Sequence, residues 1–187
     1  MTVNVKLSDD LWNNVVNKQG VEAWAVYFQS TGVGTTGAPV WTKLSGTSAT
    51  ELTNFPTVYA GAKVYFIIQD RGVISGTTSS YLPSVSGTIS GQGDINYYAD
   101  NTTDSKALNY RFDSFELTLS NSADDEGNLT NVNYFGIPME VKVNYVSSAS
   151  ATRGYNLSGG GISGQGGVTS TTGMWGTLVN SGGAIVS

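Results

Sequence analysis

An antiparallel all-β sandwich is the fold class that this sequence predicts, and three observations predict it. Val, Ile, Thr, Tyr and Ser dominate the composition, and such residues favour strands over helices. No segment sustains the 3.6-residue apolar period of an amphipathic helix. Short alternating runs recur at roughly even spacing with turn formers between them, which favours a sandwich or barrel over parallel βαβ units. A length of 187 residues fits one domain, with or without a tail.

In chain order, Thr2–Leu7 alternates through Val3, Val5 and Leu7 and reads as a first strand. Asn13–Asn17 reads as a turn, and Val21–Gln29 as a second strand with Trp24, Val26 and Phe28 on one face. Thr31–Pro39 has the Gly/Thr content of a loop, followed by a short strand Val40–Leu44 that carries Trp41. In Glu51–Asp70, Pro56 and Gly61 bracket a turn, and Val64, Phe66 and Ile68 then share one side of a strand. Gly87–Lys106 reads as a polar loop containing Tyr97 and Tyr98.

The stretch from Arg111 to Val143 organises the rest. Phe115, Leu117 and Leu119 share one strand face, and Ser114, Glu116 and Thr118 the other, so one carboxylate stands in a polar row backed by an apolar one. Asn121–Asn128 is an acidic loop of turn formers. A strand Thr130–Ile137 follows and stops at Pro138, which cannot donate a ladder hydrogen bond. Met139–Val146 then closes the sandwich, with Met139, Val141, Val143 and Tyr145 inward. Beyond it, 147–187 is rich in Gly, Ser and Thr with Arg153 as its one charge, and reads as a tail or strand-donating extension. It repeats a phrase, since Ile89-Ser-Gly-Gln-Gly93 recurs as Ile162-Ser-Gly-Gln-Gly166.

The residues FELTLSN…NLTNVNYFGIPMEV resemble the bacterial β-1,3-glucanases of glycoside hydrolase family 64, which share a β-sandwich with thaumatin-like proteins. Phe55–Phe66 and Tyr81–Val85 resemble further family segments in the family's order, so the likeness covers about Thr2–Val146. It implies a thaumatin-like antiparallel β-sandwich, jelly-roll-like, over 1–146, with 147–187 as an extension where the family's enzymes continue into a second lobe. It also implies Glu116 as the catalytic acid and places the family's second carboxylate at Asn133, which is not an acid. If the acidic loop closes a hairpin centred between Asp124 and Asp125, Glu116 and Asn133 stand opposite or one step diagonal.

Glycoside hydrolysis normally needs two carboxyl groups, and an Asn amide cannot accept water's proton. Asp113 lies on the opposite strand face from Glu116 and is a poor replacement, while Glu140 faces out of a strand beyond Pro138 and its role is open. Asp124, Asp125, Glu126 and Asn128 are closely packed oxygen donors of the kind Ca²⁺ takes, without the spacing of a calcium loop, and a solvated turn is the better reading. Tyr65, Tyr81, Tyr97, Tyr98, Tyr110 and Trp41 are candidate sugar-stacking aromatics in or beside polar loops.

A net charge of −5 argues against nucleic acid and anionic membranes as partners. With no Cys and no His, thiol and imidazole chemistry and the usual zinc sites are removed, and no cofactor is expected. No apolar run is long enough to span a bilayer. The expectation is a protein at or outside the cell surface that binds β-1,3-glucan or another polysaccharide and hydrolyses it weakly or not at all. Two alternatives stand beside it. One is a self-assembling structural subunit that forms a homo-oligomer or polymer by lending its C-terminal extension to a neighbour. The other is an active β-1,3-glucanase with a relocated base.

Overall fold

A computed structural model of the chain describes residues 1–32, 35–56, 59–72, 81–100, 108–119, 126–129, 137, 139–144, 150–156 and 161–163. They form two five-stranded antiparallel sheets packed face to face. The first sheet has the order β10-β9-β8-β1-β4 and the second β3-β2-β5-β6-β7. In chain order the strands are β1 (Thr2–Leu7), β2 (Val21–Gly32), β3 (Thr35–Lys43), β4 (Thr50–Glu51), β5 (Tyr59–Asp70), β6 (Tyr110–Leu119), β7 (Glu126–Leu129), β8 (Met139–Asn144), β9 (Ser150–Asn156) and β10 (Gly161–Ser163). The all-β sandwich expected from the sequence is present.

Alternation puts the same kind of residue on both inner faces. Val3, Val5 and Leu7 of β1 and Met139, Val141 and Val143 of β8 meet Ala25 and Tyr27 of β2, Val64 and Phe66 of β5, and Phe115, Leu117 and Leu119 of β6. Full burial of one such aliphatic or aromatic side chain contributes roughly 1.5–3 kcal/mol, so this layer dominates the fold's stability. Tyr27 is fully buried, and its hydroxyl lies 2.8 Å from the carbonyls of Thr53 and Asn54, fastening β2 to the segment after β4.

Several local expectations give way to tertiary structure. Asn13–Asn17 is not a plain turn: a short helix α1 (Asp9–Leu11), capped where the Leu11 amide donates to the Ser8 hydroxyl at 3.2 Å, runs into a π-helical turn Trp12–Val16. The expected loop Thr31–Pro39 is largely strand, because β2 runs to Gly32 and β3 starts at Thr35. Pro39 pairs with Phe28 there without harm, since β3 is an edge strand. Gly61 lies inside β5 at a register shift rather than in a turn, and its φ of +65° suits glycine.

The polar loop expected over Gly87–Lys106 is replaced in part by two helices, α2 (Val85–Thr88) and α3 (Gln92–Asp100). The carboxylate of Asp94 accepts from the Ser90 amide at 2.9 Å, the Ser90 hydroxyl at 3.0 Å and the Gly91 amide at 2.9 Å, satisfying donors at the start of α3. These helices lie on the outer face of the second sheet. There Val85, Ile89, Ile95 and Leu108 cover Val26, Phe28, Tyr65, Ile67 and Phe112, forming a second, smaller core. At the C-terminal end, the position where the sequence divides at 146 falls between β8 and β9, which are hydrogen-bonded neighbours in one sheet.

Candidate functional site

The site elements are all on the outer face of the second sheet. Glu116 is half-buried in β6 and faces outward, because Phe115 and Leu117 beside it face the inner core. Its lateral neighbours are Lys63 of β5 on one side and Asn128 of β7 on the other. Asn128 therefore occupies the register position that the sequence had predicted for Asn133, because β7 starts at Glu126, inside the expected acidic loop. Asn133, Asp124 and Asp125 themselves lie outside the described residues. Glu126 holds the next register position outward, opposite Thr118.

The other acids are elsewhere. Asp113 points into the sandwich, only 1% exposed, and accepts from the Ser114 amide at 2.8 Å and the Ile137 amide at 3.4 Å. Glu140 alternates outward from β8, on the far side of the sandwich from Glu116. Among the described residues no group of three or more acidic side chains is assembled that could hold a metal ion.

The aromatic candidates separate into packed and exposed ones. Tyr65 lies in the middle of β5, away from any loop. Its ring packs on Phe28 and Phe112 at centroid distances of 6.1 and 6.2 Å, and its hydroxyl accepts from Gln92 Nε2 at 2.7 Å. Burial pushes its pKa up, the Gln92 hydrogen bond opposes this, and the negative charge of Glu116 adds to the rise. Glu116 is thus within electrostatic reach of the covered centre of the face. Tyr110 is half-buried, with its hydroxyl donating to the Ile95 carbonyl. Tyr98 is half-buried in the outer core, and Tyr97 packs edge-on against it with its own ring 52% exposed. Tyr81 is 42% exposed.

Trp41 is half-buried and stands edge-on to Trp24 at 5.8 Å, its indole N–H buried with no hydrogen-bond partner among the described residues. This pair belongs to a cluster that sequence reading missed. Glu22 Oε1 meets Arg71 Nη1 at 3.1 Å and Lys43 Nζ at 3.5 Å, while Oε2 accepts from the Ser84 hydroxyl at 2.9 Å and the Trp24 indole at 3.4 Å. Burial pushes the Glu22 carboxyl up, but the hydrogen bonds from Ser84, Arg71 and Trp24 and the charge of Arg71 outweigh it and hold it below its ordinary value. The only sequence signal was Glu22 and Trp24 at strand spacing, since Lys43, Arg71 and Ser84 arrive from three other segments.

Among the described residues the outer face therefore has a covered centre and two ends beyond that cover, one polar around Glu116 and one aromatic and charged around Glu22. Compared with known protein families, curated proteins and solved structures, the chain matches none.

Proposed function

We propose that this protein is a carbohydrate-binding β-sandwich of the thaumatin-like kind, directed to β-1,3-glucan through Glu116 and its register neighbours Lys63 and Asn128. The observation that carries the reading is the setting of Glu116. It is a half-buried carboxylate flanked by a cation and an amide at register positions, and its strand's other carboxylate, Asp113, is sealed in the opposite face. Such a row offers an acceptor and donors to sugar hydroxyls, as polar groups that orient a saccharide must. The residue to which the sequence resemblance assigns the second carboxylate, Asn133, carries an amide instead. The expected result is retention on insoluble β-1,3-glucan and not on cellulose, weakened about tenfold by Glu116→Ala, as loss of a charge-assisted hydrogen bond implies. Equal retention on both polymers, or none on either, removes the reading.

A second reading, an active glucanase with a relocated base, has one observation in its favour. Glu126 sits at the register position diagonal to Glu116, which puts a second acidic residue on the neighbouring strand. Reducing ends released from laminarin, abolished by both Glu116→Gln and Glu126→Gln, would establish it. No release between about pH 4 and 8 would end it.

A further inference from the structure

The Glu22 cluster has features that its structural role does not consume. One carboxylate, its side chain 15% exposed, holds two cations that reach further into solvent, with Lys43 at 56% and Arg71 at 29%. The cluster thus carries a local excess of one positive charge on a chain whose net charge is −5. By contrast, the ion pair between Lys6 and Asp9 is one to one. Lys43 has three N–H donors and spends one on Glu22.

Each cation also stands by an aromatic ring. The Lys43 ammonium is 5.5 Å from the Trp24 ring centroid, and the Arg71 guanidinium is 5.9 Å from that of Tyr81. Glu22 is the hub, since Lys43, Trp24 and Arg71 all bond it, and Tyr81 stands beside Arg71. The strip is firmly built. Arg71 Nε donates to the Leu82 carbonyl at 2.8 Å, the Leu82 amide donates back to Arg71 at 2.8 Å, and the Arg71 amide donates to Gly20 at 2.7 Å. With φ at +81° Gly20 suits its position, and Tyr81 Cε1 lies within van der Waals reach of it.

An exposed lysine and a half-buried arginine, each beside an aromatic ring, fit one ligand chemistry. We propose that this strip is a second saccharide subsite that takes an acidic sugar, a uronic acid residue within a polysaccharide. The carboxylate meets Lys43 and Arg71, and the C–H face of the pyranose packs against Tyr81. Glu22 holds both cations in place and is not displaced. This goes beyond the β-1,3-glucan reading, since that polymer is neutral and the Glu116 row is on other strands.

Affinity electrophoresis in gels containing polygalacturonate tests it. An acidic protein is repelled by a polyanion unless a local positive site captures it, so retardation is informative. The expected result is retardation that 0.5 M NaCl suppresses and that Lys43→Gln and Tyr81→Ala each weaken about tenfold, the loss of one charge-assisted or stacking contact. Lys18→Gln, at an exposed lysine outside the strip, should leave it unchanged. Overturning results are no retardation, retardation indifferent to salt, or an equal loss in Lys18→Gln and Lys43→Gln. Parallel gels with laminarin separate the two proposals. Retardation by laminarin alone sinks the acidic-sugar subsite and leaves the glucan reading, while polygalacturonate alone does the reverse.

Discussion

The two faces of the sheet β3-β2-β5-β6-β7 are built by different means. On the inner face an alternating set of aliphatic and aromatic residues meets the matching set of β1 and β8, and Asp113 is its buried charged residue. On the outer face the cover is two helices of four and nine residues, too short to be stable in water by themselves. Specific polar bonds tie them down. Gln69, fully buried in β5, donates to the carbonyls of Pro83 and Leu108 at 2.9 and 2.7 Å and accepts from the Val85 amide at 2.9 Å. Gln92 bonds Tyr65, Tyr110 bonds Ile95, and Asp94 caps α3. The lesson is that shape and area hold the first interface, while addressed hydrogen bonds hold the second. Both ends of the outer face, where the proposed sugar contacts lie, border the second kind.

If that contrast is right, the largest effect belongs to the inner layer. Phe66→Ala should cost about 3–5 kcal/mol and lower the single thermal transition of the whole sandwich. Gln69→Leu comes next at about 2–3 kcal/mol, because it strands two carbonyls and an amide in an apolar setting. Its signature should be faster hydrogen exchange in α2 and α3 with β1 and β8 still protected. Equal loss of protection in both sheets would break the comparison. Asp94→Ala should cost about 1 kcal/mol, read as faster exchange of the Ser90 and Gly91 amides just before α3.

The smallest effect is a pH dependence. Glu22 is held below its ordinary value by hydrogen bonds and Arg71, and Asp94 below its own chiefly by the Ser90 amide. A depressed carboxyl contributes stability that is full above its unfolded pKa and is lost as pH falls through its folded one. The outer layer should therefore loosen as pH drops below about 4.5, the ordinary glutamate value. A melting series from pH 7 to 3 in wild type and Glu22→Gln checks this, and the variant should show a shallower decline.

The repeated phrase shows how far the chain's letters go. In its first copy, Ile89 is buried at the end of α2 and Gln92 opens α3, because Asp94 follows and caps the helix. In its second copy, Ile162 and Ser163 belong to a strand that pairs with Tyr155 and Gly154, and Gly167 stands where Asp94 would. The helix signal at the first copy was legible in principle, as Val85 and Ile89 at i, i+4 with a capping acid nearby. Its Gly and Ser content hid it. Tyr65 differs for another reason: it stands between Val64 and Phe66 in mid-strand and not beside a polar loop, and α3, distant in sequence, covers it.

By itself the sequence determined the all-β sandwich, the inward faces of β1, β6 and β8, and the outward position of Glu116, because side-chain alternation is local and has period two. Only tertiary structure decided that Asn128 lies opposite Glu116, that helices roof half of one sheet, and that Lys43, Arg71 and Ser84 converge on Glu22. Register depends on where a turn closes, and convergence depends on segments that meet only after folding, and neither is written in the spacing of neighbouring residues.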